Sequence, residues 1–168
     1  MPQQLDDLIF NRTQSDADRV NYLASLWQNG TFTGTTAELA EWATDLKGAY
    51  NASDLNRVGS AVEYLTETLY SMGYNVPTVP KDDWTETDIP MQFQMDIYIN
   101  NIQLLRDILP YAAPDAPGDA EKLTFQEANN IEEILYTLER VLLAMQEGFR
   151  LRQADTLFMI AGGVFNNA

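Results

Sequence analysis

Carboxylates are the only reactive side chains that this chain holds in number. Twenty-five Asp and Glu stand against 10 Lys and Arg, with no cysteine and no histidine. A cysteine nucleophile, a disulfide, a thiolate zinc site and an imidazole base or ligand are therefore excluded. Paired acids remain. Asp82, Asp83, Glu86 and Asp88 cluster before a helix and could offer several oxygens to a hard divalent cation. They lack the EF-hand spacing and its glycine, and read first as a solvated acidic turn. Glu132 and Glu133 are neighbours on a helix, point in different directions and cannot clasp one substrate. Asp6 and Asp7 precede the first helix, where negative charge favours the helix dipole. A glycosidase needs two carboxylates at controlled separation in a cleft, and no aromatic-acid pattern suggests a sugar channel. The three lysines, Lys47, Lys81 and Lys122, fall in no Ser-x-x-Lys motif, and Gly162–Gly163 lacks the helix and lysine of a phosphate loop. No catalytic residue, cofactor or metal ligand is assigned, and the chain is not expected to be an enzyme.

Aromatic side chains are the other candidates. Trp27 and Trp42 fall on apolar faces of short helices, where core packing is expected. Trp84 lies in a loop, free to contact a partner. The segment containing Leu157, Phe158, Met159, Ile160 and Phe165 carries no charge among those residues, and such patches signal a partner or a self-contact. These six residues, Trp84 included, are the candidate partner-binding set.

Helix signals position these groups. Thr13 with Asp16, Thr35 with Glu38 and Thr124 with Glu127 have capping-box spacing. Val20, Leu23, Ala24 and Trp27 then mark one short helix ending near Gly30. Leu39, Trp42, Ala43 and Leu46 mark a second ending at Gly48. A third begins near Asn51 or Ser53, with Leu55, Val58, Val62, Leu65, Leu69 and Met72 in heptad spacing up to Gly73. A fourth is expected from Asp88 as N-cap, with Pro90 in its first turn, along Met91, Met95, Tyr98, Ile102, Leu105 and Leu109. A fifth carries Ala128, Ile131, Leu135, Leu138, Leu142, Met145 and Phe149. Gly148 weakens it, and Phe149 to Ala168 continues either as helix or extended. The methionines at 72, 91, 95 and 145 occupy seam positions and are expected as core filler. Strands have little support. Asn51 and Ser53 suit an N-cap corner, Tyr50 would wedge there with its hydroxyl reaching water, and Arg57 can reach Asp54 or acids of the N-terminal segment.

The expected fold is all-α: an antiparallel bundle of three long helices preceded by a short helical hairpin. Residues 1–168 form a single helical domain, divided into an N-terminal helical hairpin (1–50), a three-helix bundle (51–149) and a C-terminal docking segment (150–168). Packed rods of this kind leave little cleft. The net charge of −15 repels phosphate backbones and anionic lipid, so neither nucleic acid nor membrane is expected as a partner. No stretch reaches the ~20 apolar residues of a membrane span, and no basic segment precedes an apolar run as in a signal peptide.

Four strings occur in order: DLIFNRTQSDADRVNYL (7–23), LKGAYNASDLNRVGSAVEYL (46–65), DWTETDIPMQFQMDIYINNI (83–102) and LTFQEANNIEEIL (123–135). Together they resemble a family of uncharacterised proteins and domains encoded in phage and prophage structural regions, near tail genes. The C-terminus departs from the family pattern: members end in an aromatic-Ser-Gly-Glu type of segment, where this chain reads FRLRQADTLFMIAGGVFNNA. The resemblance implies a non-enzymatic structural or assembly module of a virion, tail- or fibre-associated. It would be made in the bacterial cytoplasm and act by docking to itself, as a homo-oligomer, or to other virion proteins. It carries no catalytic residue or cofactor across. Two other readings are a receptor- or glycan-binding module with Trp84, Tyr74 and Tyr111 as stacking groups, and a small hydrolase using the acids at 82–88.

Overall fold

A computed structural model describes residues 5–108, 112–120 and 123–162, with the side chains of the last helix described to residue 153. The chain is mostly helical: α1 (Gln14–Ser25), α2 (Thr36–Trp42), α3 (Ala52–Ser71), α4 (Gln92–Asp107) and α5 (Phe125–Gly162), with one short strand pair, β1 (Trp27–Gln28) and β2 (Thr31–Phe32).

All three capping boxes form. The Thr13, Thr35 and Thr124 hydroxyls accept from the third backbone N–H of their helices, and Asp16, Glu38 and Glu127 accept from the cap N–H in return. Those hydrogen bonds hold the three carboxyls below their usual range. The heptad positions of α3 behave as their spacing predicts: Leu55, Val58, Val62, Leu65 and Leu69 are buried. They pack with Tyr98, Ile99, Ile102 and Leu105 of α4 and with Ile131, Ile134, Leu135, Leu138 and Leu142 of α5 in one core. Each of α3, α4 and α5 touches the other two.

Three expectations fail. Trp27 is not on a helix. Asn29 and Gly30 both take positive φ, 50° and 77°, the geometry of a two-residue hairpin turn, which Asn-Gly favours. The turn pairs Trp27 with Phe32 and leaves Trp27 41% exposed, its ring edge against Phe32. The second helix stops at Trp42, which is half-buried, with Leu39 exposed. Helix α4 starts three residues after Pro90's predecessor. Pro90 disfavours a helical Ile89, and Asp88 is occupied as an acceptor for the Thr85 N–H (2.7 Å). Met91 becomes the N-cap and is exposed, whereas Met72, Met95 and Met145 pack against the core. Of the two continuations open after Gly148, the chain takes the helical one: α5 runs through Gly148 without a break and is described to Gly162.

The α1–α2 unit buries only Leu23. It is held by polar contacts: the Arg19 guanidinium is bidentate on Glu41 (3.0 and 2.6 Å), and Tyr22 donates to Glu38 (2.8 Å). Two long stretches, 5–12 and 74–84, have no regular structure yet enter the core through Leu5, Leu8, Val76 and Trp84. The second passes so near α3 that a Cβ on Gly59 would lie 2.0 Å from the Lys81 carbonyl oxygen. Replacing Gly59 with Ala should therefore destabilise the fold by about 1–3 kcal/mol through overpacking. Gly118, with open space around it, should accept Ala within about 0.5 kcal/mol. Urea midpoints at constant m-value check both.

Candidate functional site

Two features stand out once the helices are in place: a buried polar network and the cavities beside Trp84. The network joins the N-terminal segment, α3 and α5. The Glu132 side chain is fully buried. Its carboxylate accepts from Arg57 Nε and Nη2 (both 2.9 Å), Arg12 Nη2 (2.8 Å) and the Ile9 backbone N–H (2.6 Å). Arg12 Nη2 also donates to Asp54 Oδ1 (2.8 Å), Nε donates to the Lys47 carbonyl (3.1 Å), and Nη1 donates to the Ile9 carbonyl. Arg57 donates to Asp54 as well. Two cations thus meet two anions, and each charge is hydrogen-bonded, as a charge in a low-dielectric interior requires. Burial opposes the charge on Arg57, yet the hydrogen bonds and attraction of Glu132 and Asp54 outweigh it and raise its pKa.

Tyr50 caps this network. Its ring lies 5.5 Å from the Arg12 guanidinium carbon, and its hydroxyl meets that of Tyr98 at 2.5 Å instead of reaching water. Burial, reinforced by the Glu132 charge, pushes the Tyr50 hydroxyl above its ordinary range, and burial with Tyr50 does the same to Tyr98. Both stay neutral near pH 7. Four donors occupy the Glu132 carboxylate, so it offers no free oxygen to a substrate. The arrangement fixes the backbone of the N-terminal segment.

Asparagines do the same work for the extended segments. Asn129 of α5 accepts from the Arg12 N–H and donates to its carbonyl (2.9 Å each). Asn56 of α3 clamps Trp84 in this way (2.7 and 2.8 Å), and Asn101 of α4 clamps Val79 (2.9 Å each). Each side-chain amide supplies the donor and acceptor that a neighbouring strand would present.

Two hollows flank Trp84. One is a groove of about 670 Å³ between the α2–α3 corner and the loop before α4, lined among others by Asp45, Asn56, Glu86 and Asp88. Packed rods were expected to leave little cleft; the loop stands off from the α2–α3 corner and opens one. Among the described residues no three acids gather as a cation site. Asp82 accepts from the Ser60 hydroxyl (3.0 Å), Asp83 pairs with Lys81, and Asp88 holds its turn. The second hollow, about 200 Å³, lies between α3, α4 and the 79–84 stretch.

Of the candidate partner-binding residues, Trp84 is in a loop, as expected, but its side chain is only 6% exposed and joins the core. Tyr74 packs against that core, and Tyr111 lies outside the described residues. Leu157, Phe158, Met159 and Ile160 fall within the backbone range of α5, beyond the described side chains, and Phe165 lies outside the described residues. Arg12, Asn56, Asn101 and Asn129 belong to no motif or apolar seam of the sequence. Their signal is a polar residue next to seam positions, as Glu132 sits beside Ile131 and Asn101 beside Ile102. Of the adjacent acids Glu132 and Glu133, the first is buried and the second exposed. Comparison of the chain with family models, curated proteins and solved structures found no match.

Removing one cation from the network leaves a buried carboxylate under-neutralised. Arg12→Leu should cost about 3–5 kcal/mol and release residues 5–12 to protease. Arg19→Leu, at an exposed pair, should leave the denaturation midpoint nearly unchanged. Denaturant titration and mapping of the first cleavage sites check this.

Proposed function

We propose that this chain is a non-enzymatic structural module of a phage or prophage particle, tail- or fibre-associated, and that it works by docking. In this reading α3, α4 and the first half of α5 form an antiparallel bundle that acts as a rigid base. The remainder of α5 is the docking arm. The phage assignment rests on the resemblance carried by the four ordered strings. The docking role rests on one observation, the length of α5. Its 38 residues compare with 20 in α3 and 16 in α4. At 1.5 Å per residue it is about 57 Å long.

Its buried positions end at Leu142 among the described side chains, and from there to residue 153 none is buried. Phe149 and Leu151 are 55% and 53% exposed. A single helix projecting into water is marginal unless something packs on it, and exposed Phe and Leu supply a face for that packing. The uncharged run after Asp155 continues the apolar character. The partner in this proposal is a second copy of the chain or another virion protein. A closed ion network that spends its carboxylates on structure, and the lack of cysteine and histidine, favour a scaffold over an enzyme.

Sedimentation velocity on the full chain tests the reading. Concentration-dependent self-association, lost in the double variant Phe149→Asp, Leu151→Asp with its helical spectrum intact, is the expected result. A chain that stays monomeric at its highest soluble concentration and is missing from purified particles overturns it.

A further inference from the structure

Exposed apolar side chains gather in two places. Five of the twelve large ones among the described residues, Val79, Ile89, Met91, Phe93 and Ile97, lie on the extended segment, the approach to α4 and its first turns. Val79, Phe93 and Ile97 rim the hollow of about 200 Å³ between α3, α4 and the extended segment, so the patch is concave and can seat an apolar side chain. Two more, Phe149 and Leu151, stand on the projecting part of α5. Exposed apolar side chains that share one hollow mark an interaction site.

The two surfaces carry opposite charge. Between Val79 and Ile97 the acids Asp82, Asp83, Glu86, Asp88 and Asp96 are all exposed, against one base, Lys81, which is paired with Asp83. Residues 149–168 hold Arg150, Arg152 and a single acid, Asp155, for a net +1. Of the 10 bases and 25 acids of the chain, that leaves 8 and 24 in residues 1–148, a net −16. Body against body is therefore repulsive, arm against arm gains no attraction, and arm against body attracts. The arm is not placed to meet its own patch. It is one continuous helix to Gly162, and about 30 Å of it lies beyond Leu142 at 1.5 Å per residue, with no turn to bring it back to the bundle it leaves.

We propose that the α5 arm of one copy docks on the Val79–Ile97 patch of a second copy. The inference rests on the docking role of α5 and names its acceptor. The contact is of the helix-in-groove kind: apolar side chains of the arm enter the hollow, and Arg150 and Arg152 meet the acids of residues 82–96. Arm and patch are different surfaces, so the contact is heterologous. Each copy that receives an arm offers one in turn, and the result is a ring or a filament.

Two variants of the full chain with complementary lesions test this by sedimentation velocity. Phe149→Asp with Leu151→Asp disables the arm and leaves the patch. Ile89→Asp with Phe93→Asp, at positions 87% and 58% exposed, disables the patch and leaves the arm. Each alone should self-associate at least about tenfold more weakly than the unaltered chain, the loss expected of an anchor residue. Mixed, they should form a one-to-one complex that grows no further, because only one arm–patch pair is intact. A patch variant that self-associates like the unaltered chain, or a mixture that stays monomeric where the unaltered chain associates, overturns the inference and leaves the docking role of α5 standing. An unaltered chain that is monomeric in solution yet present in purified particles also overturns the inference alone; one that is missing from particles as well overturns both. If the patch variant loses its helical spectrum, Ile89→Asp with Met91→Asp replaces it and is read in the same way, since Asp suits the N-cap position that Met91 holds.

Discussion

Buried backbone must find hydrogen-bond partners, and in this fold the helices supply them from their side chains. The segments 5–12 and 74–84 thread along the core with no strand or helix of their own, while Leu5, Leu8, Val76 and Trp84 are buried. An unmet buried amide or carbonyl costs about 1–3 kcal/mol, enough for a few of them to cancel the marginal stability of a small domain. Asn129, Asn56 and Asn101 meet the need with paired donor and acceptor, and Glu132 and Glu139 accept from Ile9 and Leu5. The extended stretches are as defined as a sheet strand, although no sheet is present beside them.

The ion network follows from the same requirement. Once Glu132 is recruited to hold the Ile9 amide, its charge lies in a medium that penalises it, and neutralisation has to come from within. Arg57, one turn along α3 from Asp54, supplies one cation, and Arg12 brings the second from the segment being held. The segment thus delivers part of the charge that fastens it. A buried pair of this kind is weak evidence for added stability compared with an apolar core. What it defines here is register: only one placement of residues 5–12 brings Arg12, Asn129 and Glu132 together.

Much of the helical framework is legible from the sequence because its signals are local. Capping boxes at Thr13, Thr35 and Thr124 and the heptad of α3 each depend on residues within a turn or two. The interactions that position the site are long-range. Arg12 and Glu132 are 120 residues apart, Asn56 and Trp84 are 28 apart, and no periodicity announces them. The helical spacing of Val20, Leu23, Ala24 and Trp27 points to a helix through Trp27, but the Asn29–Gly30 turn geometry prevails over it. Asp88 illustrates the opposite limit: as a residue type it suits a helix cap, yet Pro90 beside it moves the helix start and leaves the acid to close a turn. Trp84 reads as a loop residue and is one, but its burial is decided by Gly59 and Asn56 on another element.

The asparagine clamps have a chemical cost over time. Each depends on an amide, because only an amide offers a donor and an acceptor from one planar group. Asparagine is among the thermolabile residues. Spontaneous hydrolysis to aspartate would keep the acceptor for the Val79 or Trp84 N–H but set a negative oxygen against the carbonyl that the lost nitrogen had served. Such a change at a clamp would loosen the extended stretch it holds, with the helices still intact and a far-ultraviolet spectrum that records nothing.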